Sequence, residues 1–309
     1  MKHAPAAARP PRPLLLAATA GLALWLAACA AATRPPDPSA PRANEAPYPV
    51  VLEASGERRE RALANWGALV VGAPEPAAAP PPELRPVTAT VAAIPTLPSA
   101  LLRLPRVVIE SEPGAPARPP TDEELRESLR RFVASAAPLL GVEQRELSLV
   151  EIAEVPGGAR RALYRQKPFP HPLRNGYGEL SITFAPDLTV IAMSSTAVPA
   201  PEPLRRALAA VVPQLSAQDA VAALAGKSVA VGDAAGATGA TRTFSTTEGA
   251  AAGELVVYPR TVEGSPARVE LRLAWEVAAG AGGPPLVVYV DAVTGDIIGS
   301  APAPDSRSA

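Results

Sequence analysis

The sequence predicts an α+β protein of two small modules, each a helix packed on an antiparallel sheet, with Pro-rich linkers between them. Three observations carry this. Leu180, Ile182 and Phe184 alternate with Ser181 and Thr183. Val269, Leu271, Leu273, Trp275 and Val277 alternate with Arg268, Glu270, Arg272, Ala274 and Glu276. That period of two marks half-buried strands. Thr121 with Glu124, and Ser216 with Asp219, each stand before an apolar helical stripe as an N-cap pair. The 39 prolines and 22 glycines are about one residue in five of 309. That is below the roughly 25–30% of a wholly low-complexity chain, so linkers alternate with spans able to bury a core.

In chain order, residues 1–28 read as a secretory signal. Lys2, Arg9 and Arg12 precede Leu14 to Ala28, fifteen residues without a charge. A basic start, a short apolar run and small residues before the cut have that form. Leu26-Ala27-Ala28-Cys29 resembles a bacterial lipobox, and Cys29 is the chain's single cysteine. The resemblance implies a lipidated Cys29 as N-terminus and an exported, membrane-anchored lipoprotein. Ala30 in place of aspartate resembles the outer-membrane default, facing the periplasm. The readings beside it are an ordinary signal and an uncleaved anchor, since Leu14 to Ala32 gives 19 nearly apolar residues.

Residues 29–49 form a Pro/Ala-rich tether, too poor in large apolar residues to offset ordering entropy. Residues 50–109 read as an irregular N-terminal module: a strand at Val50 to Leu52, then a short helix over Arg58 to Val70 with Leu63, Trp66 and Val70 on one face. Prolines at 95, 98 and 105 forbid a long helix later in that span. Residues 110–120 are a linker.

Residues 121–200 are the first well-marked module. A helix runs from the Thr121 cap through Leu125, Leu129, Phe132, Val133, Ala136 and Leu140, and Gly141 ends it. Strands follow over Glu146 to Val155, Arg160 to Gln166, Leu180 to Phe184 and Leu188 to Ser194. Residues 204–299 are the second module. Leu204 to Val212 is a short helix, Ser216 caps another, and Gly232 to Gly253 reads as loop. Strands are expected at Leu255 to Tyr258, Val269 to Val277, Leu286 to Val290 and Ile297-Ile298. Trp275 is expected on the buried face of its strand. Residues 300–309 are a polar tail.

Ala162-Leu163-Tyr164-Arg165-Gln166 and Gly178-Glu179-Leu180-Ser181-Ile182-Thr183-Phe184, after helix 121–140, resemble the fungalysin/thermolysin propeptide (FTP) module. Ser216 to Val221, Arg272-Leu273-Ala274-Trp275-Glu276-Val277, and Val288 to Ile298 with its Asp291-Ala292-Val293-Thr294-Gly295-Asp296 turn are similar to a PepSY domain. Together they cover about residues 121–299, in the order of thermolysin-like precursors. The Pro168-Phe169-Pro170-His171-Pro172 loop departs from the family's valine-and-glycine loop. A His-Glu-x-x-His helix, which the family's catalytic domain would carry, does not occur in the sequence. The resemblance therefore implies a propeptide-like fold without its metalloprotease domain. It offers Tyr164 and Gln166 as partner contacts, and Asp305 in the tail as an approach to a partner's zinc.

The residues point to binding and not to catalysis. His171, between two prolines, is the one histidine after the signal and needs a nucleophile and an orienting group to act as a base. Asp291, Thr294 and Asp296 offer three oxygens where calcium takes six to eight. They are read as hydrogen-bonding their own turn. Gly226-Lys227-Ser228 ends a helix instead of opening one, so it is not a phosphate loop. No cofactor and no metal site are expected. A net charge of −1, and −4 once residues 1–28 are removed, gives no pull toward nucleic acid. Arg160-Arg161 and Arg205-Arg206 read as solvated positions, with an acidic partner surface as the alternative. The expected partners are the membrane, through the N-terminal lipid, and a secreted metalloprotease that the module binds, inhibits or assists. The alternative is a generic cell-envelope interaction lipoprotein.

Overall fold

The structure, a computed structural model, describes residues 48–53, 55–70, 79–97, 102–109, 118–199, 201–231, 240–245, 247, 249–280 and 285–303. The signal segment, Cys29, the tether up to residue 47, and Asp305 lie outside these residues. In chain order the elements are β1 (Val50–Glu53), α1 (Gly56–Val70), β2 (Glu83–Leu84), β3 (Val91–Ala93), α2 (Asp122–Ser135) and α3 (Ala137–Leu140). After a 3-10 turn at Gln144–Glu146 come β4 (Leu147–Val155), β5 (Ala159–Gln166), β6 (Glu179–Phe184) and β7 (Val190–Ser195). Then follow α4 (Pro201–Ala209), α5 (Ala217–Ala222), β8 (Ser228–Val231), β9 (Ala240–Thr243), β10 (Ala250–Val262), β11 (Ser265–Ala279), β12 (Leu286–Asp291) and β13 (Ile297–Pro302). The fold is α+β, with several antiparallel sheets and helices against them.

The first sheet is a meander, β4-β5-β6-β7. Its inner face carries Ala162, Tyr164, Leu180, Ile182, Phe184 and Met193, all buried. α2 covers it with Leu125, Leu129, Phe132 and Val133. The N-terminus of α2 closes by the expected capping box. The Glu124 N–H donates to Thr121 Oγ1 at 3.3 Å, and the Thr121 N–H donates to Glu124 Oε2 at 2.8 Å. The single helix expected over 121–140 is broken at Ala136. Pro138 has no N–H to continue the ladder, so the chain restarts as the one-turn α3. Gly141 then ends it at φ 83°. A side chain there would also strike the Arg58 guanidinium and Thr90, so the position needs glycine twice over.

The second sheet is built on β11, fifteen residues long. β10 pairs along one edge. The other edge is shared: β1 takes Arg268 to Leu271, and β12 takes Ala274 to Ala279, with β13 outside β12. Val269, Leu271, Leu273 and Val277 are buried as their alternation requires. Trp275 is partly buried, its Nε1 donating to the Leu215 carbonyl at 3.0 Å. Ala274 is also fully buried, because both faces of β11 are covered at that point.

Residues 50–109 do not stand apart as a module of their own. β1 completes the second sheet, with Val50 and Leu52 in a core with Val269 and Leu271. α1 packs Ala62, Trp66 and Val70 into the core of the first module, as do Leu84, Val91, Leu102 and Leu104. Residues 102–104 also cover the edge of β7: Leu104 N–H donates to Leu188 O, and Val190 N–H to Leu102 O, both at 2.9 Å. Two further expectations are corrected. The stretch 232–253 includes β9 and the start of β10 among its described residues. The tail expected from residue 300 begins as strand, since Ser300, Ala301 and Pro302 pair with Val288, Val287 and Leu286. Small residues with weak strand preference are held in these places by neighbouring backbone.

Candidate functional site

Each acidic group of the last hairpin turn is committed internally. Asp291 is fully buried at the end of β12. Its Oδ1 accepts from the N–H groups of Val293 at 2.8 Å and Thr294 at 3.0 Å. Its Oδ2 accepts from the Tyr48 hydroxyl at 2.9 Å and from Arg272 Nη1 at 2.8 Å. Arg272 is in turn held by Glu270 at 2.8 Å. Thr294 Oγ1 donates to Asp296 Oδ2 at 2.8 Å. Among the described residues no group of His, Cys, Asp and Glu is placed to hold a metal ion.

Tyr48 has a distinct task here. β1 and β12 lie end to end on the same edge of β11, and Leu273 falls at their junction. Its N–H donates to the Tyr48 hydroxyl at 3.2 Å, and its carbonyl accepts from Ala292 N–H at 2.8 Å. A buried backbone donor without a partner is costly; the phenol removes that cost by accepting from Leu273 and donates its own O–H to Asp291. Burial, with the Asp291 charge and hydrogen bond, pushes the Tyr48 hydroxyl well above its ordinary range.

Tyr164 and Gln166, offered as partner contacts, are turned inward at 5% and 7% exposure. Tyr164 belongs to the first core, and burial raises its hydroxyl. Gln166 holds Val198 by two hydrogen bonds of 2.9 Å, donating to its carbonyl and accepting from its N–H. Both residues are therefore removed from any contact face. His171 is half-buried and its pKa is lowered by desolvation, against a smaller opposing effect from Glu254. Phe169 of the same loop is buried, with the Arg205 guanidinium 5.2 Å from its ring centre. Loop residue Arg174 reaches the second sheet, donating from Nε to Glu276 at 2.6 Å and pairing with Glu254.

A cleft of about 1040 Å³ opens where the first module, β1, α1 and α4 converge. One wall is Leu52, Glu53, Ser55, Arg58 and Arg61. Another runs from Ala137 to Glu146, and the third joins Lys167 and Pro168 to Pro199 and the start of α4. Its four acids are all paired: Glu53 with Arg268, Glu143 with Arg145 at 2.8 Å, and Glu146 and Glu202 with Arg205 at 3.2 and 3.6 Å. Arg61 pairs with Glu57 at 3.6 Å. Arg58 donates from Nε to the Thr88 carbonyl at 2.6 Å, while its buried Nη2 has no hydrogen-bond partner among the described residues. Desolvation, and then the charge of Arg61, lower its pKa to about 10. Nothing local to Arg58 or Lys167 in the sequence marks a tertiary cleft, because the residues around each come together only in the fold. Arg205, read as solvated, is instead fixed between Phe169 and Glu146.

No protein-family model matches the chain, and no curated protein matches it. Among solved structures, it is similar to the Bacillus megaterium YpeB C-terminal domain at 11% identity and a TM-score of 0.27. The likeness covers 59% of this chain and 62% of that one, so the chain spans less than two thirds of that domain.

Proposed function

We propose that the protein is a non-catalytic cell-envelope lipoprotein, anchored through Cys29, whose folded part binds a secreted protease of the thermolysin-like class. The observation that carries the binding role is the cleft. Four separate stretches of chain build it, and it is lined by prolines, paired charges and two cations that have no acidic partner among the described residues. Such a lining suits recognition of another chain. Asp291, the buried carboxylate of the last hairpin, supports the same reading, since its lone pairs are already taken by the fold.

The test is a titration of the chain from residue 29 onward against thermolysin-like proteases of the same organism, with a pull-down from membranes beside it. A Kd below about 10 μM, or roughly −7 kcal/mol, is expected for at least one. Capture of envelope proteins with no protease bound would favour the generic interaction lipoprotein.

A further inference from the structure

We propose that the cleft between β1, α1, α3 and α4 is the docking site for an extended acidic segment of the partner, whose carboxylates meet Arg58 and Lys167. This rests on the binding-protein reading and gives that reading a surface and a ligand chemistry.

The argument begins with charge. All four acids lining the cleft have a cation at hand, and three of its five cations have an acid. Among the described residues Arg58 and Lys167 have none. Glu146 and Glu202 share Arg205, so the five cations and four acids of the lining leave one positive charge in excess, and the two cations without an acid are where an anion meets it. Arg58 is half-buried: its Nε donates to the Thr88 carbonyl, and among the described residues its buried Nη2 has no hydrogen-bond partner. An anion close to it regains Coulomb energy that burial has made larger and that no described acidic group supplies. Lys167 is exposed and free to follow a ligand.

The walls argue for a peptide. Pro138, Pro168, Pro199, Pro201 and Pro203 line the cleft. Proline has no backbone N–H, so these stretches offer a carboxylate few donors, and recognition falls to the side-chain cations. Their rings form stiff apolar surfaces that suit the carbon stems of an extended chain. The volume lies at the upper end for small-molecule sites, room enough for several residues.

The experiment uses fluorescence anisotropy of a fluorescein-labelled peptide of alternating glutamate and alanine on the chain from residue 29 onward. Saturable binding is expected, weakening as salt rises from about 50 mM to about 500 mM. A lysine–alanine peptide of equal length should not bind. K167E should weaken binding about tenfold or more. Lys167 is exposed, so this variant tests the site without disturbing the core. R58Q should act likewise and R58K should restore much of the loss; circular dichroism confirms that each variant folds. Equal binding of both peptides, or K167E binding as tightly as the unaltered chain, overturns the proposal. If the acidic peptide binds as described and no protease does, the cleft stands and the partner class falls. If a protease binds the unaltered chain and K167E with R58Q alike, the partner stands and the cleft falls.

Discussion

The two sheets take up the same N-terminal segment by opposite physics. The first module receives α1 as apolar bulk. Trp66 is 3% exposed and Val70 2%, in one core with Leu129, Phe132 and Ile182. The second receives β1 as backbone and polar groups. Four residues pair with β11, and the Tyr48 hydroxyl links Leu273 to the buried Asp291–Arg272 pair. Only Ala54 and Ser55 lie between the two elements. A short stretch of chain thus fastens both modules, and neither is complete without it. The difference teaches where each joint is vulnerable: the first to loss of volume, the second to loss of a hydrogen bond or a charge.

Trp66→Ala should have the largest effect. Deleting a buried Trp typically costs ~3–5 kcal/mol, and the indole N–H bond to the Pro80 carbonyl at 3.1 Å is lost with it. Urea unfolding should show a lower midpoint with little change in slope. Asp291→Ala should cost about 3 kcal/mol, because it leaves Arg272 and Tyr48 without their shared acceptor. Arg272 keeps Glu270, which holds the loss to the lower end of that range. Tyr48→Phe removes one hydroxyl and leaves the Leu273 N–H unpaired at the strand junction, for about 1–3 kcal/mol. Thermal unfolding ranks the three, and a Tyr48→Phe variant as damaging as Trp66→Ala would reverse the contrast between the joints.

The same comparison decides how a fragment of residues 121–299 alone should behave. The structure leaves that fragment with the first core uncovered at α1 and the second sheet short of β1. Poor solubility or molten behaviour of such a fragment is the expected outcome, and a cooperative melt near that of the longer chain would count against the shared-segment account.

A smaller effect is expected at Glu124. Its carboxylate accepts from Arg118 at 2.7 and 2.8 Å and from the N–H groups of Thr121 at 2.8 Å and Ile109 at 3.0 Å. The Arg118 bonds first, then the backbone bonds, bring its pKa down to about 2. A carboxylate depressed in the folded state contributes fully above its unfolded value near 4.3 and loses that contribution as pH falls toward 2. The Ile109 amide resonance should titrate with a midpoint near 2; a midpoint at 4 or above would mean the clip is open in solution.

What the sequence carried legibly was local. The Thr121–Glu124 and Ser216–Asp219 caps and the glycine stop at 141 rest on contacts within four residues. The alternation of β6, and of β11 up to Leu273, rests on one buried face. What it carried poorly was set at a distance. Glu124 reads as a cap, and its hold on Ile109 and Arg118 needs the folded chain. Ala250 to Ala252 and Ser300 to Pro302 are strands because β11 and β12 supply the partners, not because their side chains favour it. The cleft was invisible for the same reason, since Arg58 and Lys167 lie more than a hundred residues apart in sequence.

After residues 1–28 the chain keeps two tryptophans, Trp66 in the first core and Trp275 in the second sheet. Single-tryptophan variants, Trp275→Phe and Trp66→Phe, let each module report its own unfolding in urea once the midpoints are corrected for the substitution by far-UV circular dichroism. If one segment fastens both modules, the two fluorescence transitions coincide with each other and with the loss of secondary structure. Two separated transitions, one for each tryptophan, would contradict it.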